Sequence, residues 1–275
     1  MSALDHGPAL LFCPADRPDR IHKALARADA VIVDLEDAVA DAAKPAAREA
    51  LVAADLDPDR VIVRVNRAGT ADRDADLTAL AQTRLRTVML AKASSAADVD
   101  GVDGGFEVVA LCETAAGVQA VAELAARPTV VALMWGAEDL VASLGGSSSR
   151  HPSGGYRDVA RFARAQVLLA AGAHGKAAID AVHLDIHDEA GLAAEAADAA
   201  ASGFAATACI HPAQVETVRT AYRPSDETIV WARDLLAAGR GQGGVFAFRG
   251  GMVDEPVLRQ ARRTLARAGC ADPPR

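Results

Sequence analysis

Eight short apolar runs, separated by Ala-rich segments, constrain this chain more than any other feature. They are read at Leu10–Cys13, Ala30–Asp34, Val61–Val65, Thr87–Ala91, Glu107–Cys112, Val130–Met134, Ala181–Leu184 and Ala206–Ile210. The runs are rich in Val, Ile and Leu and are apolar throughout instead of alternating. That pattern predicts strands buried on both faces, as in a parallel sheet. Helix-like segments lie between them at Asp19–Arg27, Pro45–Ala54, Arg73–Gln82, Ala115–Ala126, Tyr156–Ala171, Glu189–Ala201 and Pro212–Tyr222. Strand–helix alternation over this length predicts an α/β fold, a closed (β/α)8 TIM barrel, which typically takes ~250 residues. The alternative is an open doubly wound sheet. No GxGxxG follows the first strand, which argues against it.

The pattern assigns residues 1–222 to the barrel and 223–275 to a C-terminal helical extension. In the extension a helix is predicted over Asp226–Gly239. A Gly-rich connector follows, then a short strand or hairpin at Val245–Gly251. A last amphipathic helix covers Asp254–Ala268, with Pro256 in its first turn. The extension reads as a lid or an oligomer contact.

Composition narrows the function classes. The chain is 51% hydrophobic, enough for a large core, and carries a net charge of -8. An acidic surface repels phosphate backbones, so nucleic acid is not an expected partner. No apolar run reaches the ~20 residues of a membrane span, and the first residues show no export signal. The cysteines at 13, 112, 209 and 270 form no CxxC pair and read as reduced core thiols. A cytoplasmic protein is expected.

Barrel active sites sit where the strands end at their carboxyl termini. Charged residues collect there: Asp16 and Arg17 after strand 1, Glu36 and Asp37 after strand 2, Arg64 at the end of strand 3, and Lys92 after strand 4. Glu113 follows strand 5, Glu138 and Asp139 follow strand 6, Asp185 ends strand 7 and His211 follows strand 8. Each alone reads as a solvated loop charge. Together they predict a wet or metal-bearing mouth, because charge at the ends of buried strands is costly without compensation. Glu113 and Asp139 follow neighbouring strands, so both can reach one cation. Two carboxylates with waters and a bidentate substrate suit Mg²⁺. The plainer alternative is that both acids cap the helices that follow.

Two rival sites share the mouth. His183, Asp185 and His187 would lie on one face of a strand and could bind Zn²⁺ or Fe²⁺, if the strand runs that far. Only four lysines occur. Lys92 is the one placed at a strand end, where it would form a Schiff base or neutralise the acids around it.

With these residues in place, the chain resembles the citrate lyase beta-subunit-like group of the HpcH/HpaI aldolase superfamily, with malyl-CoA and citramalyl-CoA lyases among its members. The resemblance is carried by Leu10-Leu11-Phe12-Cys13-Pro14, Asp34-Leu35-Glu36-Asp37-Ala38-Val39, Val63-Arg64-Val65-Asn66 and Leu111-Cys112-Glu113-Thr114-Ala115. Gly136-Ala137-Glu138-Asp139-Leu140, Cys209-Ile210-His211-Pro212-Ala213-Gln214 and Gly251-Met252-Val253-Asp254-Glu255-Pro256 complete it, in the family's order.

The resemblance implies a Mg²⁺-dependent carbon–carbon lyase acting on a β-hydroxyacyl-CoA such as malyl-, citramalyl- or citryl-CoA. It implies Glu113 and Asp139 as metal ligands and Arg64 as the substrate contact. It places Glu36 and Asp37 in an acidic motif that orders Arg64 and metal-bound waters. It also implies that Asp254 serves a neighbouring subunit's site in a homotrimer. Arg17 is a candidate phosphate contact for CoA, and Lys92 a candidate for substrate binding. The chain departs from the family's pattern at Ala15, at Ala206-Thr207 and at Pro8-Ala9, none of which is a proposed ligand. Three other functions stay open at this point. One is a subunit acting on an acyl-carrier-protein thioester. The second is a metal aldolase of free 4-hydroxy-2-oxo acids. The third is a non-catalytic binding module on the same scaffold.

Overall fold

Seven of the eight apolar runs become strands where the pattern places them. In a computed structural model, which describes residues 3–102 and 104–270, the strands are β1 Ala9–Pro14, β2 Ala30–Asp34, β3 Val61–Val65, β4 Thr87–Leu90, β5 Glu107–Cys112, β6 Val130–Trp135, β7 Ala177–Asp180 and β8 Ala206–Cys209. They are all parallel and pair in sequence order. β1 pairs with β8 through Leu10↔Ala208 and so closes the barrel.

The eighth run corrects the sequence reading. β7 was expected at Ala181–Leu184, after the charge of Asp180, and instead ends on Asp180. The charge is tolerated inside the strand because Arg164, from the preceding helix Asp158–Ala173, reaches it at 2.8 Å. Asp185 therefore lies in a loop and not at a strand end. Two short helices, Ala96–Asp100 and Ala137–Ser143, were not foreseen. Each is at most two turns, too short to show a 3.6-residue period.

One core cluster draws residues from every strand: Leu10, Ala30 and Ile32, Ile62, Met89, Val109 and Leu111, Ala132 and Met134, Ile179, and Ala206 and Ala208. These side chains fill the barrel interior, as in other closed (β/α)8 sheets. Their spacing of two along β2, β5, β6 and β8 is the strand period, and it dictates which later residue also points inward. Cys13, Cys112 and Cys209 are buried and unpaired. Burial pushes the Cys112 and Cys209 thiols up to about 12, which keeps them from acting as nucleophiles near neutral pH.

The chain divides between Arg219 and Thr220 into two compact units. The second holds the helices Asp226–Ala238 and Glu255–Arg267 and a hairpin of β9 Phe246–Phe248 with β10 Gly251–Val253. Ala232, Leu235, Val253, Ala261 and Leu265 form its core. The hairpin turns on Arg249 and Gly250, with φ of 47° and 84°. Positive φ at both central residues matches the right-handed twist of the two strands. Among the described residues, no helix is long and apolar enough to cross a membrane.

Candidate active site

The two-residue strand period carries three charges to the mouth of the barrel. On β2, Ala30 and Ile32 fill the interior and Asp34 is next in phase. On β3, Arg64 follows Ile62. In the chain of β5, Glu113 follows Val109 and Leu111. Asp34, Arg64 and Glu113 line one cavity of about 280 Å³, together with Asp37, Glu138 and Asp139. Phe12, Leu111, Met134, Val182 and Ile210 contribute an apolar wall. Asp139 sits in the first turn of the helix Ala137–Ser143, four residues past the end of β6 at Trp135.

Arg64 is held from three sides. Asp34 accepts both arms of its guanidinium, Nε at 2.7 Å and Nη2 at 2.5 Å, while Glu36 Oε2 lies 3.2 Å from Nη1. The Phe12 ring lies against the guanidinium, 5.0 Å from centroid to Cζ. A fork held by two parallel bonds is fixed in plane and direction. Asp34 also accepts the backbone N–H groups of Glu36 and Ala38, so the same carboxylate shapes the acidic loop. Asp34 was quoted in the sequence motif but given no role. Its phase on β2, two residues after Ile32, was the signal the sequence offered; that it stands opposite Arg64 is seen only in the β2–β3 register.

Lys92 ties the acidic loop across the mouth. Its ammonium bonds Glu36, reaches Asp37 Oδ2 at 3.0 Å and lies 3.5 Å from Asp139 Oδ1. Its backbone N–H donates to Glu113 Oε1 at 3.1 Å. To do so the residue adopts φ of 53°, a conformation that costs a non-glycine residue about 1 kcal/mol or more. Burial would lower its pKa, but the hydrogen bonds to Glu36 and Asp37 and the charges of Glu36 and Glu113 outweigh burial and raise it. A lysine held charged is a poor Schiff-base nucleophile, and the neutralising reading of Lys92 is the one the geometry supports.

The carboxyls respond differently to the same surroundings. Glu113 is 2% exposed. Burial, then the like charge of Asp139, push its pKa up to about 8 against the pull of Arg64 and Lys92. Burial also raises Glu36, though Arg64 and Lys92 oppose it. Burial would raise Asp37 as well, but the Lys92 hydrogen bond and charge reverse the sign and lower it. Among the described residues, the hydrogen bond from Lys92 is the one bond that Glu113 accepts. Glu113 also presses on Gly136: a Cβ there would meet Glu113 Cβ and Oε2 at 2.9 Å. Glycine is required at 136 for this close approach and not for its backbone angle.

A buried carboxylate beside a second carboxylate, with one hydrogen bond, is the environment that a hard cation relieves. The donors are oxygens alone, which fits Mg²⁺ better than a transition metal. Among the described residues, no group of three or more His, Cys, Asp or Glu side chains is placed to hold a metal. An ion at Glu113 and Asp139 would therefore complete its shell with water and substrate oxygens.

The rival histidine site does not form. His183 lies beyond β7, not on it, and is buried with Nδ1 2.8 Å from Glu195 Oε2. Asp185 turns back to accept the His187 backbone N–H. Alternation along a strand cannot align the three side chains, because no strand is there. Arg17 stands in the loop after β1, paired with Asp16 at 3.6 Å and mostly exposed, and does not line the cavity. Asp254 belongs to the second unit, where it caps the helix Glu255–Arg267 by accepting the Val257 N–H at 3.4 Å.

The chain is similar to known proteins in sequence and fold. Residues 9–212 match the family HpcH/HpaI aldolase/citrate lyase. The chain is 59% identical over 263 residues to a citrate lyase subunit beta-like protein of Mycobacterium tuberculosis, covering 96% of each chain. It is 33% identical over 293 residues to the mitochondrial citramalyl-CoA lyase of Homo sapiens, covering 94% of this chain and 85% of that one. The crystal structure of CitE from Mycobacterium tuberculosis in complex with magnesium, acetoacetate and coenzyme A superposes with a TM-score of 0.92 at 59% identity, covering 97% of this chain and 99% of that one. A closed eight-stranded parallel barrel, a match over residues 9–212 and these relatives agree: this chain belongs to the HpcH/HpaI aldolase/citrate lyase family and is a carbon–carbon lyase.

Proposed function

We propose that the chain cleaves or forms the carbon–carbon bond of a β-hydroxyacyl-CoA such as malyl-, citramalyl- or citryl-CoA, exchanging it with an acyl-CoA and a 2-oxo acid. One observation carries the reading. Glu113 and Asp139 share a cavity with Arg64, so two carboxyl groups that could ligate a divalent cation stand beside a guanidinium that could meet a bound acid. The Mycobacterium tuberculosis relative binds magnesium, acetoacetate and coenzyme A, which supports the same ligand classes here.

Glu113 and Asp139 would hold Mg²⁺. When bound, it supplies Lewis-acid polarisation of a 2-oxo acid carbonyl and stabilises the corresponding alkoxide. Arg64, fixed by Asp34, presents a planar donor to the substrate's oxyanions. Glu36 and Asp37 close the mouth and hold Lys92. The cavity of about 280 Å³ accommodates a four- or five-carbon acid and not a whole CoA, so the nucleotide lies outside it. Arg17, exposed after β1, is the candidate contact for its phosphates. Asp254 of a neighbouring subunit would move the proton of the β-hydroxyl, or the α-proton of the acyl-CoA in the reverse direction. With that role, residues 223–275 act as a lid in a homotrimer. We place the enzyme in the cytoplasm.

The test is a screen of malyl-, citramalyl-, citryl- and 3-hydroxy-3-methylglutaryl-CoA, with Mg²⁺ and with chelator, following release of the 2-oxo or 3-oxo acid. At least one thioester should be cleaved, and chelation should stop it. Cleavage that survives chelation, or no cleavage of any thioester, rejects the reading.

A further inference from the structure

We propose that Lys92 is a built-in cation that stands in for the divalent ion, and that ammonium and metal compete for Asp139. The inference rests on the reading of Glu113 and Asp139 as the metal site. Its own support is geometric. The Lys92 ammonium lies among three carboxylates from two separate segments, the loop after β2 and the first turn of the helix Ala137–Ser143: Glu36, Asp37 at 3.0 Å, and Asp139 at 3.5 Å. The fourth acid, Glu113, is bonded by the same residue's backbone N–H. One residue therefore contacts both proposed metal ligands, Asp139 through its ammonium and Glu113 through its main-chain N–H.

The backbone gives a second, independent sign. Lys92 holds φ of 53°, where glycine is at ease and the Cβ of any other residue crowds the backbone carbonyl. Had the position served only to point an N–H at Glu113, glycine would do so without strain. The lysine side chain is the part that the strain accommodates.

Two consequences follow from Coulomb's law at short range. With no divalent ion bound, the ammonium lowers the repulsion among Glu36, Asp37, Glu113 and Asp139 and holds the acidic loop to the far side of the mouth. With the ion bound, a positive charge this near Asp139 opposes it. Lys92 thus stabilises the metal-free site and weakens metal binding. It positions the acidic loop and is not placed here as a group that touches the reacting atoms.

Magnesium titration calorimetry on the full chain tests this, with unfolding temperature measured in chelator. Lys92→Gly removes the side chain, relieves the backbone and keeps the N–H. Lys92→Met keeps the stem without the charge and guards against an effect peculiar to glycine. Both variants should bind Mg²⁺ more tightly, with Kd lower by about tenfold. In chelator Lys92→Met should unfold at a lower temperature than wild type. Lys92→Arg should return Kd toward the wild-type value. Turnover should fall in Lys92→Gly and Lys92→Met even as Mg²⁺ affinity rises, because the loop is no longer tied. A merely structural lysine gives the opposite sign, with affinity and stability lost together. Unchanged or weaker Mg²⁺ binding in both variants, while wild type binds the ion, overturns the competition and leaves the metal site standing. A wild-type chain that binds no Mg²⁺ overturns both.

Discussion

Glu113 and Asp180 occupy comparable places, each at the carboxyl end of a barrel strand and each nearly buried, yet the protein treats them in opposite ways. Asp180 accepts Trp135 Nε1 at 2.6 Å, three Arg164 contacts at 2.8–3.1 Å and its neighbour's N–H. Beside it the Glu195 carboxylate is shared by Arg150 and His183, and the Arg150 guanidinium stacks 3.9 Å from the Tyr156 ring. Glu113 accepts one N–H and faces another acid. On the β7 side each carboxylate is committed to more than one donor, and such networks hold a fold in one arrangement. The β5–β6 side leaves a buried carboxylate short of partners. Burial at a strand end therefore does not separate the two acids. What sets Glu113, the proposed metal ligand, apart is burial with a single hydrogen-bond partner among the described residues.

The comparison is broken most decisively at Glu113 and Asp139. Glu113→Gln and Asp139→Asn should each lower kcat by on the order of 10³-fold or more, since Lewis-acid stabilisation is worth several kcal/mol. Glu113→Gln should not destabilise the metal-free chain. Steady-state kinetics in saturating Mg²⁺ and denaturant unfolding in chelator check the two halves, and wild-type turnover in both variants would remove the site.

The paired acid should behave in reverse. Asp180→Ala leaves Arg164 and Trp135 without their buried acceptor and should cost about 3 kcal/mol in urea unfolding, at the low end for a broken buried pair because Arg164 keeps Asp198. A loss under 1 kcal/mol would show that the network is not holding the β7 side.

Gly136→Ala sharpens the contrast without changing any charge. The added methyl meets Glu113 at 2.9 Å and must move it. A stability cost of roughly 1–3 kcal/mol is expected from overpacking, with a weaker Mg²⁺ affinity by calorimetry. Unaltered affinity would mean that the placement of Glu113 is not critical.

The pH dependence of stability separates the two sides by sign. Glu113 has a folded pKa raised from 4.5 to about 8, so it favours the fold below 4.5, and that contribution is lost as pH rises toward about 8. Glu195 has a lowered folded pKa. Burial alone would raise it, but the hydrogen bonds from Arg150 and His183 outweigh burial. Its contribution is present above the ordinary carboxyl value and is lost as pH falls through the folded one. In chelator, Glu113→Gln should flatten the decline in unfolding temperature between pH 5 and about 8, and Glu195→Gln should flatten only the acid side. The same slope in both variants would contradict the assignment of partners.

Much of this was legible in the residues themselves. Period and apolar continuity determined seven strands, the closed barrel and the placement of Arg64 and Glu113 at the carboxyl ends of their strands, because these depend on neighbours close along one strand. The C-terminal helices were legible for the same local reason, through Ser225 and Asp254 at their caps. What the sequence could not decide is what depends on contacts between distant segments. β7 was misplaced because Asp180 looks like a strand breaker until Arg164, 16 residues earlier, is brought to it. The role of Asp34 needs the β2–β3 register. The reach of Lys92 to acids 55 and 56 residues away needs the closed barrel and a left-handed backbone. Local pattern determines which face a side chain takes. Only the folded chain determines which charges meet, since a pairing energy depends on distances that no spacing along the sequence encodes.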